Sequence, residues 1–167
     1  HLPPLRVEVV YLETADLCRP DAFSDEIKRL DKIARDRDED SDEARSASEA
    51  RTAQAATMKR AWVFRQVVDV VPQGGKCVIF LERKALVERW AELLSPLVER
   101  AAGRPVQIWA VTGDTSDRER DRILDAYEPH PGPAVLVATR QSMGMSKNGM
   151  QQSDLAIVAQ IPDRPGD

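Results

Sequence analysis

The chain predicts an α/β fold, a parallel sheet flanked by helices. Short apolar runs of strand type recur at Lys76–Leu81, 105–111, 134–138 and 155–161, and segments with helical periodicity (84–100 and 116–127) separate the first three of them. Turn signals, Gly74-Gly75 and Pro131-Gly132-Pro133, punctuate that alternation. Strands alternating with helices favour parallel pairing with both faces covered.

Taken in order, residues 5–12 alternate and are β-branched, so they predict a first strand. Residues 20–34 suit a short helix with Phe23, Ile27 and Leu30 on one side. Residues 35–43 are almost all charged, which predicts a solvated loop or a disordered insertion at about 35–45. Residues 44–71 predict a long helix docked by its second half, through Trp62, Val63, Val67 and Val70. The helix over 84–100 places Leu86, Trp90, Leu93, Leu94 and Leu97 on one side. The helix over 116–127 opens on Ser116 with Glu119 three residues later, a capping box.

A length of 167 residues fits one domain spanning 1–167, with a core of normal size. Apolar content of 42% beside 31% charge fits a soluble chain with one strongly polar segment. No apolar run approaches the ~20 residues that cross a bilayer, and no signal peptide is visible, so the expected setting is cytoplasmic, or nuclear in a eukaryote. Cys18 and Cys77 have no metal-ligand spacing, and Cys77 lies inside an apolar run as a small hydrophobe. Of 28 acids and 24 bases, eleven acids and seven bases fall between residues 21 and 51, which leaves 17 of each elsewhere. The net charge of −4 therefore belongs to one segment, and a basic face elsewhere stays open.

In parallel sheets ligands sit beyond the carboxyl ends of the strands. That rule points to residues 81–84, 112–116, 139–146 and 162–166. Gln73-Gly-Gly-Lys-Cys77 resembles a phosphate loop only in passing. It lacks the earlier Gly, has Cys77 where a hydroxyl would hold magnesium, and runs into a strand. In Thr112-Gly-Asp-Thr-Ser116, Gly113 permits close approach of a ligand, and the helix amides opening at Ser116 can meet a phosphate oxygen. An ordinary capped turn explains the same residues. After Thr139, a hydroxyl and backbone amides at a strand end can hold a sugar-phosphate backbone without reading sequence, and a plain strand-to-helix connection is the alternative. His130 reads as a solvated loop residue, and Trp62, Trp90 and Trp109 as core. No catalytic set stands out.

In this order, the segments resemble the second, RecA-like lobe of superfamily 2 helicases and translocases, closest to the Snf-type branch with its annealing helicases. Lys76-Cys-Val-Ile-Phe80 looks like motif IV. Gly113-Asp-Thr-Ser-Asp-Arg-Glu-Arg120 looks like the segment before the next helix. Ala134 to Ser146 looks like motif V, with Thr139, Met143, Gly144 and Ser146 in register. Asp154-Leu-Ala-Ile-Val-Ala159, with Arg164-Pro-Gly166, looks like the approach to motif VI, and Lys59 matches a Lys common on the helix before motif IV. The likeness covers about 58–166.

The resemblance implies a C-terminal motor lobe of an ATP-dependent nucleic-acid helicase or translocase, with DNA favoured over RNA. Arg83, Thr112, Gly113, Thr115, Thr139, Arg140 and Gln141 would line the nucleic-acid groove, and Gly144, Met145 and Ser146 would lie near nucleotide. ATP and Mg2+ would be held mainly by an N-terminal RecA-like lobe of the same polypeptide. Phosphate loop and motif VI arginines are not among these residues, so ATP hydrolysis is not expected of this lobe alone. Residues 147–153 are slightly longer than the Snf-type norm. The rival expectation is a RecA-like protein-interaction module without motor activity, docking through the acidic residues 36–43 and the helix after them.

Overall fold

The computed structural model describes residues 7–12, 29, 32, 42–143, 150 and 152–160. The helix α1 (Asp42–Val70) and a short 3-10 turn (Val71–Gln73) lead into β1 (Lys76–Leu81). Then follow α2 (Lys84–Ala102), β2 (Gln107–Val111), α3 (Asp117–Tyr127), β3 (Ala134–Thr139), the single turn α4 (Arg140–Met143) and β4 (Leu155–Val158). The four strands form one parallel sheet in the order β2-β3-β1-β4. The α/β parallel sheet read from the sequence is the observed fold.

Central strands are buried along their whole length because helices cover both faces. All six residues of β3 are buried, and five of six in β1. Alternate side chains go to opposite faces. Cys77, Ile79, Leu81, Val135 and Val137 meet Val63, Phe64 and Val67 of α1 and Val87, Trp90, Leu94 and Val98 of α2. Val78, Leu136, Ala134 and Ala138 meet Ile123, Leu124 and Tyr127 of α3 on the other face. Each large side chain fully buried this way contributes roughly 1.5–3 kcal/mol of transfer free energy. Phe64 and Trp90 meet edge to face, ring centroids 5.4 Å apart.

Several boundaries differ from expectation. Helix α1 begins at Asp42, two residues earlier than the charge pattern indicates, and the rest of the charged tract lies outside the described residues. On α2, Leu97 is 42% exposed and Leu86 and Leu93 are only partly buried. The inward stripe runs through Val87 and Val98 instead, which rotates the buried face slightly. Ser116 caps α3 by accepting from the Glu119 amide at 3.2 Å, but the Glu119 carboxylate turns outward to Arg122, so the capping box is half formed.

The predicted first strand is not observed. Residues 7–12 have no strand pairing, and Val7, Val9 and Tyr11 are 78%, 71% and 88% exposed. Alternation and β-branching express strand preference only against a neighbouring strand and an apolar face, and the described residues offer them neither. The helix expected over 20–34 lies outside the described residues, except Arg29 and Lys32, which are helical.

Two glycines make the entry to β1. Gly74 adopts φ 95°, which closes the 3-10 turn. At Gly75 a Cβ would lie 2.6 Å from Val70 Cγ1 and 2.9 Å from the Val70 carbonyl oxygen, so the helix end and the strand start approach too closely for any side chain.

Lys76 then bolts the amino end of the sheet. It is 8% exposed, and its ammonium donates to the carbonyls of Tyr127 at 3.2 Å and Glu128 at 2.7 Å, the carboxyl end of α3. A cation there also complements the helix dipole. Its backbone amide donates to Asp154 at 2.7 Å, and the Tyr127 hydroxyl pairs with Ser153 at 2.8 Å. Lys76→Met is expected to lower the unfolding free energy by about 1–3 kcal/mol, the loss typical of a charge-assisted bond whose acceptors stay behind. Urea denaturation with circular dichroism measures it.

Burial, with Asp154 as the smaller cause, pushes the Cys77 thiol from 9.0 up to about 12. Burial also pushes the Tyr127 phenol from 10.0 to about 12, against the opposing Ser153 hydrogen bond. Both groups keep their protons in the folded chain while the unfolded chain loses them, so above about pH 9 the unfolded state binds fewer protons. Stability should therefore be insensitive to these groups at neutral pH and fall as pH rises from 9 towards 12. Denaturation midpoints across that range test this, and Cys77→Ala should remove the earlier onset of the fall.

Candidate functional site

The strand register brings the predicted loops together. Val111 stands opposite Ala138, and Thr139 opposite Leu81, so β2, β3 and β1 end level with one another. Thr112 to Thr115, Thr139 to Gln141 and Arg83 consequently share the carboxyl edge. Gly144, Met145 and Ser146, expected near nucleotide, lie outside the described residues, as do residues 162–166.

Residues 112–115 form a tight turn held by their own hydroxyls. The Thr112 amide donates to Thr115 Oγ1 at 3.0 Å, and the Asp114 amide donates to Thr112 Oγ1 at 3.3 Å. The Thr115 amide donates to the Thr112 carbonyl at 3.1 Å. A hydroxyl that accepts in this way retains its proton for donation to another acceptor. Arg120 braces the turn from α3, reaching the Thr115 carbonyl at 3.4 Å and Asp117 at 2.7 Å. Gly113 is exposed, and a Cβ there would meet nothing within 4 Å. Any need for glycine at this position must come from something outside the described residues.

The predicted residues differ in accessibility. Thr112 and Thr139 are 5% and 6% exposed, so at this edge they offer mainly backbone. Gly113 and Gln141 are exposed, while Thr115 and Arg140 are half-buried. Arg83 is half-buried and engaged within the chain, and its carbonyl accepts from Leu86 and Val87 at the start of α2.

Cross-strand polar bridges tie the edge together, and sequence reading missed most of their members. Ser142 is buried, and its hydroxyl lies 2.8 Å from the Thr139 carbonyl and 3.3 Å from that of Val111, which links the ends of β3 and β2. The Arg140 guanidinium donates to Glu82 at 2.8 Å, linking β3 to β1. The Glu82 amide donates to Gln160 at 2.7 Å, linking β1 to the residues after β4. Lys84 pairs with Asp114, whose hydrogen bond pushes the amine pKa upward. Lys59 reaches the Ala159 carbonyl at 3.4 Å, so the helix position singled out in the sequence meets the exit of β4. Glu82, Lys84, Asp114 and Ser142 sit in segments that the strand-end rule marks. Gln160 carries no such signal.

Several of the described cations near this edge are already paired. Arg140, Lys84, Arg120 and Arg122 each meet a carboxylate. At the opposite end of the sheet, an open cavity of about 780 Å3 is lined by Lys76, Asp125, Glu128, His130, Gln152 and Asp154 among others. His130 is half-buried there, its ring edge to face with Trp109 at 5.6 Å.

The residues do not fit a triphosphate and its magnesium. In the loop-like Gln73 to Cys77 stretch, Lys76 spends its ammonium on helix carbonyls and Cys77 is fully buried in β1. No group of three or more potential metal ligands occurs among the described residues. No helix among them is long and apolar enough to cross a membrane.

No family model matches the chain, and no curated protein matches it. Among solved structures it is similar to the Sulfolobus solfataricus SWI2/SNF2 ATPase C-terminal domain, with a TM-score of 0.57 and 13% identity over 83% of this chain and 64% of that one. It is also similar to the core domain of a Sulfolobus solfataricus SWI2/SNF2 ATPase, with a TM-score of 0.59 and 11% identity over 83% of this chain and 32% of that one. The chain thus spans just under two thirds of the first and about a third of the second. At such identity the likeness is one of fold, and the fold is the RecA-like α/β lobe found in the C-terminal domain of those ATPases.

Ser142→Ala should leave the fold intact but loosen the junction of β2 and β3. The expected loss is about 1 kcal/mol, with faster amide exchange confined to the last residues of those two strands. Uniform acceleration across the sheet would contradict a local bridging role.

Proposed function

We propose that this chain is the C-terminal motor lobe of an ATP-dependent nucleic-acid translocase or helicase acting on DNA. The observation that carries the reading is the level ending of β2, β3 and β1, which sets residues 112–115 beside residues 139–141 on one edge. The fold likeness to SWI2/SNF2 ATPase domains supports it from a separate direction.

In this reading Gly113, Thr115, Arg140 and Gln141 follow a sugar-phosphate backbone, Thr112 contributes main-chain groups, Thr139 adds its hydroxyl to its main-chain groups, and Arg83 lies alongside. Such contacts hold a strand without reading its bases. Their strength is largely electrostatic, so binding by this lobe alone is weak and falls steeply with salt. ATP and Mg2+ belong mainly to an N-terminal RecA-like lobe of the parent polypeptide, because the described residues have no grip for a triphosphate. The segment after Met143, including Gly144, Met145 and Ser146, would report nucleotide state to the strand-binding edge. No step of hydrolysis is assigned to residues of this chain. The setting that suits such a motor is the cytoplasm, or the nucleus of a eukaryote.

Thr139→Ala tests the coupling role. In the parent polypeptide it should reduce nucleic-acid-stimulated ATP turnover more than basal turnover, measured with saturating single-stranded DNA and without it. Equal loss of both would place Thr139 in folding and remove it from coupling.

A further inference from the structure

Close to the carboxyl edge Glu82, Asp114, Asp117 and Glu119 each meet a cation, and the contacts of the first two differ in kind from the others. Asp117 with Arg120 and Glu119 with Arg122 are three residues apart on α3, the ordinary pairing of a helix surface. Glu82 and Asp114 instead reach between elements. Glu82 leaves the end of β1 to hold Arg140 at the end of β3, and Asp114 leaves the turn after β2 to hold Lys84 at the start of α2.

Both carboxylates are fixed through their own backbones. The Glu82 amide is tied to Gln160 at 2.7 Å, and the Asp114 amide to the Thr112 hydroxyl at 3.3 Å. The Glu82 and Arg140 side chains are 15% and 37% exposed, so this pair is sheltered more than a typical surface pair. An arginine fork recognises a carboxylate and a phosphate oxygen by the same geometry, and a lysine attracts both as a point charge. The two acids therefore occupy the kind of cation that a nucleic-acid backbone would use.

We propose that Glu82 and Asp114 set the affinity of this edge by competing with backbone phosphate for Arg140 and Lys84, so that a strand binds by exchange of carboxylate for phosphate. The inference rests on reading the edge as a backbone groove. It inverts the usual expectation for a surface acid bonded to its neighbour, because removing the acid strengthens ligand binding. An exchange mechanism also keeps the grip weak and reversible, which suits a lobe that must release its strand repeatedly.

Binding of a labelled oligothymidine strand to the 167-residue chain, followed by fluorescence anisotropy across a salt series, tests the idea. Glu82→Gln and Asp114→Asn should each tighten binding about two- to five-fold, the range set by the usual strength of one ion pair. Each should also steepen the dependence of log affinity on log salt by up to about 0.7, the value for one added phosphate contact on a single strand. Adding Arg140→Ala to Glu82→Gln should abolish that variant's gain. Asp114 is 71% exposed, so its variant keeps the test open even if Glu82→Gln fails to fold. Wild-type binding that Asp114→Asn and a folded Glu82→Gln leave unchanged or weaken would overturn the competition while sparing the groove. Absence of binding by wild type and both variants at low salt would overturn the groove reading as well.

Discussion

Parallel pairing of β1 with β3, with helices over both faces, is the constraint on which the rest of the molecule depends. A strand buried on both faces must be apolar throughout, and the runs at Lys76–Leu81 and Ala134–Thr139 meet that demand. Parallel strands in turn send all their exits to one edge, because each chain must return along a helix to start again. The polar residues that cannot enter the sheet collect at its two ends. Lys76 to Ala134 and Leu81 to Thr139 are the outer rungs of that central ladder, and chemistry lies just beyond each.

The two ends are built differently. At the amino end, Lys76, Asp154 and the Tyr127 to Ser153 contact lock strand to helix, and the Lys76 ammonium is buried against carbonyls that have few substitutes. At the carboxyl edge the links are single bridges between neighbouring exits, such as Arg140 to Glu82 and Lys84 to Asp114, and the latter pair stands largely in water. Exposed pairs of this kind contribute little to stability. A firm foot and an exchangeable rim follow from the same sheet. An edge that binds and lets go needs contacts that can be traded at low cost, whereas the opposite end has no such requirement.

Much of this fold is legible in the sequence, and the exceptions share a cause. The apolar runs of β1 and β3 and the turn at Gly74-Gly75 are local signals, and their elements lie where those signals place them. The alternation at residues 7–12 is equally clear but finds no partner strand among the described residues, because pairing is a property of the neighbour as much as of the segment. On α2 the buried stripe passes through Val87 and Val98, and not Leu97, since the register against the sheet decides which of two adjacent apolar rows turns inward. The site divides in the same way. The strand-end rule marks the segments holding Glu82, Asp114 and Ser142. Their partners, however, lie up to 78 positions away in the chain, as with Glu82 and Gln160. Lys76 is the clearest case. A lysine at the mouth of a strand looks solvated in one dimension and becomes buried only when α3 ends against it.

The use made of Lys76 and Cys77 also bears on what this lobe can do. A triphosphate grip needs backbone amides and an ammonium turned outward from a strand end, with a helix following to lend its dipole. Here the glycines precede the strand, the ammonium turns inward to helix carbonyls, and the next residue is a fully buried thiol. Those residues are committed to holding the sheet together, at the end remote from the edge where the Thr112 and Thr139 loops meet. The only buried ammonium among the described residues is thereby fixed at the end of the sheet opposite that edge. At that edge the Glu82 amide ties the end of β1 to Gln160 at the exit of β4.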